Sequence, residues 1–179
     1  LYVLFPKDKI SEVQRRFMST SQANNINIIS IDGNFDDCQN IVKSLFKDKA
    51  FSQSVHLTAV NSINWARIMI QIIYYFSAIS QNPEYKKNPD IIVPTGNFGD
   101  IYAGYIAKKM GLEMGKLVIA TNVNNILERC LNTGRYNILE AIQTNSPSMD
   151  IQVSSNFERL LYDLVNQDIK RLSQMMDEL

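Results

Sequence analysis

The strongest constraint on this chain is an alternation of two patterns. LYVLF, INIISI, SVHLTAV, DIIVPT and KLVIAT are short apolar runs with many β-branched residues, and they read as strands. Between and after them lie SEVQRRFMST, GNFDDCQNIVKSLF, INWARIMIQIIYYFSAIS, DIYAGYIAKKM, NNILERCLNT and NFERLLYDLVNQDIKRLSQMM, which read as helices. Parallel strands cannot be joined by tight turns, so each pair needs a crossover, and a helix supplies it. The expected fold class is α/β, a parallel sheet with helices on both faces. DIIVPT is apolar almost throughout, as expected of a strand covered on both sides.

Local signals punctuate the elements. Ser11 with Gln14 makes a capping box. Asp36 and Asp37 stand in the first turn of their helix, where negative charge favours the dipole. The loop QNPEYKKNPD, with two prolines, ends the third helix, and Gly111 and Gly134 stop two later ones. From Arg135 to Met149 the pattern breaks into a loop around Ser146-Pro147.

Composition narrows the function. An apolar fraction of 45% over 179 residues sustains a core. Eighteen basic and eighteen acidic residues give zero formal charge, against broad binding to nucleic acid or an anionic membrane. IMIQIIYYFSAI is the most apolar stretch, but Arg67 and Gln71 interrupt the region, so it reads as a buried core helix and not a membrane span. Without a span or a signal peptide, a cytoplasmic location is expected. Cys38 and Cys130 are far apart and form no CxxC pair, so they read as reduced, buried thiols. The lone His56, in a strand-like run, reads as a packed or edge histidine, and no metal site is expected. The opening LYVLFP has no initiator Met and begins inside an apparent strand, as an internal piece of a longer protein would.

The segment PTGNFGD, Pro94 to Asp100, closes an expected strand and opens an expected helix. In open α/β sheets, ligands sit at that end of the strands. A helix N-terminus offers unpaired N–H groups and partial positive charge, which suits an anion. Gly96 and Gly99 tolerate unusual backbone angles and close approach, and Thr95 and Asn97 add side-chain donors. Neither a Walker pattern nor GxGxxG is present, against a P-loop or a dinucleotide site. Two readings stand, a phosphate cradle and a plain turn that needs glycine only for geometry.

Two other stretches invite chemistry. Asp32, Asn34 and Asp36 in DGNFDD resemble the start of a calcium loop, but Asp37 and Lys43 occupy the positions that need Gly and Glu. The stretch reads as a turn with helix capping. In NSINWAR, Asn61, Asn64 and Arg67 recur every three residues along one side of a helix start. Asn61 or Ser62 is a candidate cap. Arg67, ahead of an apolar helix, needs an anionic partner or water. A phosphate ligand and a structural salt bridge both answer that need.

NSINWARI, VPTGNFGDIYAGYIAKKMGL, IATNVNNIL and SPSMDIQVSSNFERLL resemble the threonine synthase family in order and spacing, and DGNFDDC and FPKDKISEVQRRFM fit the same pattern. The resemblance covers nearly the whole chain. It implies a two-lobed pyridoxal phosphate fold of type II, tryptophan synthase β-like, present here in part. Residues 1–60 would belong to the smaller lobe and 61–179 to the larger, cofactor-binding lobe. It implies conversion of O-phosphohomoserine and water to threonine and phosphate, with pyridoxal 5'-phosphate as cofactor. Gly96, Asn97, Phe98, Gly99 and Asp100 would cradle the cofactor phosphate, and Asn61 and Arg67 would meet the substrate phosphate. The family's Schiff-base lysine lies in a Phe-Lys-Asp context early in the fold. Phe46-Lys47-Asp48 stands in the wrong place in the order, so Lys47 reads as a solvated helix-end lysine and no catalytic residue is expected here. Alone, this piece is expected to be inactive. The full-length protein would be a monomer or homodimer. The alternatives are a non-catalytic α/β phosphate-binding module, or a related pyridoxal phosphate enzyme acting on another amino acid.

Overall fold

The computed structural model describes residues 1–20, 23–82, 84 and 88–178, with the side chain of Asp36 set aside. Part of the QNPEYKKNPD loop, Pro83 included, and the expected dipole role of Asp36 therefore lie outside the described residues. The chain divides into two compact units, Leu1–Ala59 and Val60–Leu179.

In the first unit, strands β1 (Tyr2–Pro6) and β2 (Asn27–Ile31) pair in parallel, Tyr2 opposite Asn27 and Pro6 opposite Ile31. Helix α1 (Glu12–Ser19) makes the crossover. Its capping box forms as expected: the Gln14 N–H donates to Ser11 Oγ and the Ser11 N–H to Gln14 Oε1. Glu12 accepts from both Arg15 and Arg16 at 2.7 Å. These two partners hold its carboxyl down to about 2. Helix α2 (Phe35–Lys47) opens on a second capping box, between Asn34 and Asp37. Lys47 is its exposed last residue, as expected.

SVHLTAV is not a strand. Asp48 caps an extra helix, α3 (Lys49–Ser54), through the Phe51 N–H, and Val55 ends it. His56 takes a left-handed conformation at φ +49°, and the Leu57 N–H returns to the Ser52 carbonyl at 2.9 Å. Local capping overrides the β-branched composition. His56 is thus an exposed turn residue, neither packed nor at a strand edge.

The second unit carries α4 (Trp65–Ser80), β3 (Ile91–Pro94), α5 (Gly99–Lys109), β4 (Leu117–Ala120), α6 (Ile126–Thr133), α7 (Phe157–Leu164) and α8 (Ile169–Glu178). β3 and β4 pair in parallel, Ile91 opposite Leu117 and Pro94 opposite Ala120. The core gathers Ile68 and Tyr75 of α4, Val93 of β3, Ile101, Tyr102, Ala103 and Ala107 of α5, Ile126 and Leu127 of α6, and Phe157 and Leu161 of α7. Each large apolar side chain buried this way contributes on the order of 1.5–3 kcal/mol. Small residues on α5 let α4 come close. A Cβ on Gly104 would lie 2.6 Å from Cε1 of Tyr75, whose hydroxyl donates to the Asp100 carbonyl at 2.8 Å.

Several expectations need correction. In α4 only Ile68 and Tyr75 are buried, while Met69, Ile70, Ile73 and Tyr74 are all more than half exposed, so it is not a helix buried all round. Ile92 of β3 is 68% exposed, so that strand is covered on one face only. The last helix is two: Asn166 and Gln167 adopt φ +54° and +65°, and the Asp168 carboxylate restarts α8 by accepting from the Lys170 and Arg171 N–H groups. Gly111 (φ +99°) and Gly134 (φ +70°) do end their helices, and Cys38 and Cys130 are buried and unpaired.

Candidate functional site

The turn from β3 into α5 has an unusual hydrogen-bond ledger. The Thr95 N–H donates to the Ala120 carbonyl at 3.0 Å, which keeps the sheet register up to the turn. The Ile101 N–H donates to Asp100 Oδ1, and the Tyr102 N–H to the Phe98 carbonyl, which starts the helix. Between them, the N–H groups of Gly96, Asn97, Phe98, Gly99 and Asp100 donate to no protein acceptor among the described residues. Gly96, Asn97 and Asp100 are only partly buried, and the first N–H groups of a helix have no internal partner, so this run offers donors to water or to an acceptor from outside the chain. The positive end of α5 adds to their attraction for an anion.

The residue that bends this turn is not a glycine. Phe98 takes φ +64°, whereas neither Gly96 nor Gly99 has a positive φ, contrary to expectation. The two glycines are needed for what lies behind them. A Cβ on Gly96 would come 3.1 Å from Ile151 Cδ1, and one on Gly99 would come 3.1 Å from Asn156 Nδ2. Phe98 keeps its strained conformation because its ring is buried edge-on against Phe157, with centroids 5.3 Å apart.

Side chains around the turn have distinct duties. The Thr95 hydroxyl is buried and donates to Asp100 Oδ1, so it is spent and not a ligand donor as expected. Asp100 Oδ1 is likewise occupied, by Thr95 and by the Ile101 N–H, so what the residue offers an anion is its backbone N–H. Asn97 Oδ1 accepts from Ser155 Oγ at 2.9 Å, which directs its amide so that Nδ2 remains as a donor.

Asn156, just ahead of α7, ties the turn to the start of α4. Its Nδ2 donates to the Ser62 carbonyl at 2.9 Å and to the Asn97 carbonyl at 3.0 Å, and its Oδ1 accepts from Arg159 Nε. Asn61 therefore lies beside the residue that contacts Asn156. Its own Oδ1 accepts from the Ile63 N–H, so it shapes the entry to α4, while Asn64 and not Asn61 or Ser62 caps the helix through the Ala66 N–H. Arg67 is exposed and pairs with no carboxylate among the described residues. Its exposed guanidinium is open to water, and no salt bridge forms to it among the described residues.

A second polar cluster backs Gly96. The Asp150 carboxylate accepts from Asn122 Nδ2, Asn124 Nδ2, the Thr144 N–H and Thr144 Oγ1, all within 2.7 to 3.1 Å. It fixes the segment whose Ser148 carbonyl and Met149 Cα lie 3.6 Å from the place of a Gly96 Cβ. Among the described residues no group of His, Cys, Asp or Glu is arranged to hold a metal ion. Burial, then the Asp100 charge, pushes the Tyr75 phenol up; burial, then Asp163, pushes Tyr102 up to about 12. Both stay neutral and structural near neutral pH.

No family model matches the chain. It is 50% identical over 177 residues to threonine synthase of Pseudomonas aeruginosa, covering 99% of this chain and 38% of that protein. It is 49% identical over 170 residues to threonine synthase of Saccharomyces cerevisiae, covering 93% of this chain and 33% of that protein. This chain is homologous to the threonine synthases. The crystal structure of PLP-bound threonine synthase from Brucella melitensis superposes with a TM-score of 0.83 at 50% identity, over 98% of this chain and 38% of that one. The fold described above is thus the threonine synthase fold over this segment, and the chain spans about a third of the length of these relatives. Asn156, Ser155, Arg159 and Asp150 carry the architecture behind the turn, and residue-by-residue reading missed them. They stand in SPSMDIQVSSNFERLL, one of the stretches that resemble threonine synthases, and that was their only signal.

Proposed function

We propose that the full-length protein carrying this chain is a threonine synthase, which converts O-phosphohomoserine and water to threonine and phosphate with pyridoxal 5'-phosphate as cofactor. The observation that carries this reading is the run of five acceptor-free N–H groups from Gly96 to Asp100, in a chain homologous to threonine synthases. A phosphate dianion fits such a run, because it accepts several hydrogen bonds at once and favours a helix N-terminus. The backbone amides of Gly96, Asn97, Phe98, Gly99 and Asp100 would hold the cofactor phosphate, with Asn97 Nδ2 as a further donor. When bound, the cofactor supplies an electron sink for carbanion chemistry beside the amino group.

Asn61 and Arg67 would serve the substrate phosphate. Arg67 is available for that role, being exposed with its planar fork uncommitted. No residue of this chain is assigned catalysis, and Lys47 at the end of α2 is a solvated lysine. Residues 1–60 would form part of the smaller lobe and 61–179 part of the larger lobe. The full-length protein would be a monomer or homodimer that binds neither nucleic acid nor membrane. Among the described residues no helix is long and apolar enough to cross a membrane. A cytoplasmic location is proposed, and two unpaired buried thiols accord with a reducing compartment.

The test is turnover by the complete reading frame that contains this chain, supplied with the cofactor and O-phosphohomoserine. Threonine and phosphate in equal amounts support the reading, and neither product refutes it. Arg67→Ala should then raise the KM for O-phosphohomoserine, by about tenfold or more for a lost charge-assisted contact. Its stability should stay within about 0.5 kcal/mol, as for an exposed side chain without partners. Unchanged turnover in Arg67→Ala would remove Arg67 from the substrate site.

A further inference from the structure

We infer that Asn156 is the positioning residue of the anion site: it aims the Phe98 N–H at the ligand and holds the Asn61–Asn64 segment against the same turn. The inference rests on the phosphate-cradle reading of the turn. In a trans peptide, the carbonyl of one residue and the N–H of the next point in opposite directions. Fixing the Asn97 carbonyl therefore fixes the Phe98 N–H. That carbonyl accepts from both the backbone N–H and Nδ2 of Asn156, each at 3.0 Å. The Phe98 N–H is thereby turned away from Asn156, and it donates to nothing among the described residues.

Asn156 is fully buried, and its amide is used completely. Nδ2 serves the Ser62 and Asn97 carbonyls, 94 and 59 residues away in sequence. Oδ1 takes the Arg159 Nε–H at 3.0 Å, which forbids the flipped amide that would face oxygen to the two carbonyls. Arg159 in turn donates to the Ile63 carbonyl at 2.8 Å and lies over the Trp65 ring. Asn156 and Arg159 together grip Ser62 and Ile63, the residues after Asn61. Gly99 completes the fit, since a Cβ there would press on Asn156 Nδ2.

The test compares two probes on the complete reading frame: pyridoxal phosphate, and pyridoxal, which lacks the phosphate. The wild-type protein should bind the phosphorylated probe far more tightly. Asn156→Ala should weaken pyridoxal phosphate about tenfold or more and leave pyridoxal within about twofold, the pattern expected when one directed phosphate contact is lost. Arg159→Lys, which keeps the charge and loses the Nε–H contact, should reproduce the pattern and serves if Asn156→Ala does not accumulate folded. Equal weakening of both probes would make Asn156 merely structural and overturn the inference. Unchanged pyridoxal phosphate affinity in either variant would overturn it too. A wild-type protein that binds both probes alike would instead refute the phosphate-cradle reading, and this inference with it.

Discussion

The Thr95 hydroxyl donates to the Asp100 carboxylate across the turn that joins β3 to α5. Thr95 is only 1% exposed, so this bond holds an acidic side chain away from five N–H groups that have no partner among the described residues. Thr95→Val keeps the shape and deletes the donor. It should cost about 1.5–3 kcal/mol, the range for a hydrogen bond to a charged group, measured by urea denaturation. It should also weaken binding of pyridoxal phosphate, because a released carboxylate competes for the same amides. Adding Asp100→Asn should recover part of that affinity. A Thr95→Val protein as stable and as tight-binding as wild type would dismiss the pair.

Gly104 is an interhelical contact. Its absent Cβ leaves room for the Tyr75 ring, and an alanine would meet Cε1 at 2.6 Å and Cζ at 2.7 Å. Alanine gains up to about 1 kcal/mol of helix propensity. Overpacking a buried ring costs about 1–3 kcal/mol or more, so the net effect should be destabilising. A thermal melt of Gly104→Ala decides it, and a raised Tm would contradict the close α4–α5 packing.

Ser154 and Asp150 make a contrasting pair. Ser154 Oγ is buried without a hydrogen-bond partner among the described residues. Ser154→Ala should therefore be neutral or stabilising by about 1 kcal/mol, since it removes an unpaid desolvation cost. Asp150→Ala would strand donors on Asn122, Asn124 and Thr144 and should lose about 3 kcal/mol or more. The opposite order of stabilities in denaturant would refute both assignments.

Three phenols should resist alkali. Burial pushes Tyr75, Tyr102 and Tyr136 up, and Tyr102 reaches about 12 from the ordinary 10. A folded-state value above the unfolded one favours the neutral form. The resulting stability is complete below pH 10 and, for Tyr102, is lost as the pH rises toward 12. Phenolate absorbance should show a late phase in the folded protein that vanishes in urea. Superimposable titrations in the two states would count against these burials.

Much of the local structure was legible beforehand, and the reasons are specific. Ser11 and Gln14 carry their capping box within four residues, and Gly134 closes α6 at the position where a left-handed residue is needed. Such features depend on neighbours in sequence. SVHLTAV misled because its β-branched residues mark a tendency to extend, whereas Asp48 three residues ahead of Phe51 starts a helix there. α4 misled because apolar composition does not say which faces are covered, and Ile73 is 61% exposed. Asn61, Asn64 and Arg67 were expected along one side of the helix start, but α4 begins at Trp65 with Asn64 as its cap, so only Arg67 of the three lies in it, and there it is exposed.

The candidate site divides along the same line. By itself the sequence determined where a strand meets a helix, which residues bracket the turn, and that this turn is rich in backbone donors, since strand, helix and turn preferences act over a few residues. Only the tertiary structure decided that Phe98, and not a glycine, bends the turn, that Thr95 and Asp100 occupy each other, and that Asn156 holds Asn97 and Ser62 together. Those outcomes rest on which partner each polar group finds. The partners of Asn156 lie 59 and 94 residues away, a distance over which no periodicity or spacing in a single chain encodes a contact, and Thr95 and Asp100, five residues apart, meet only across the folded turn.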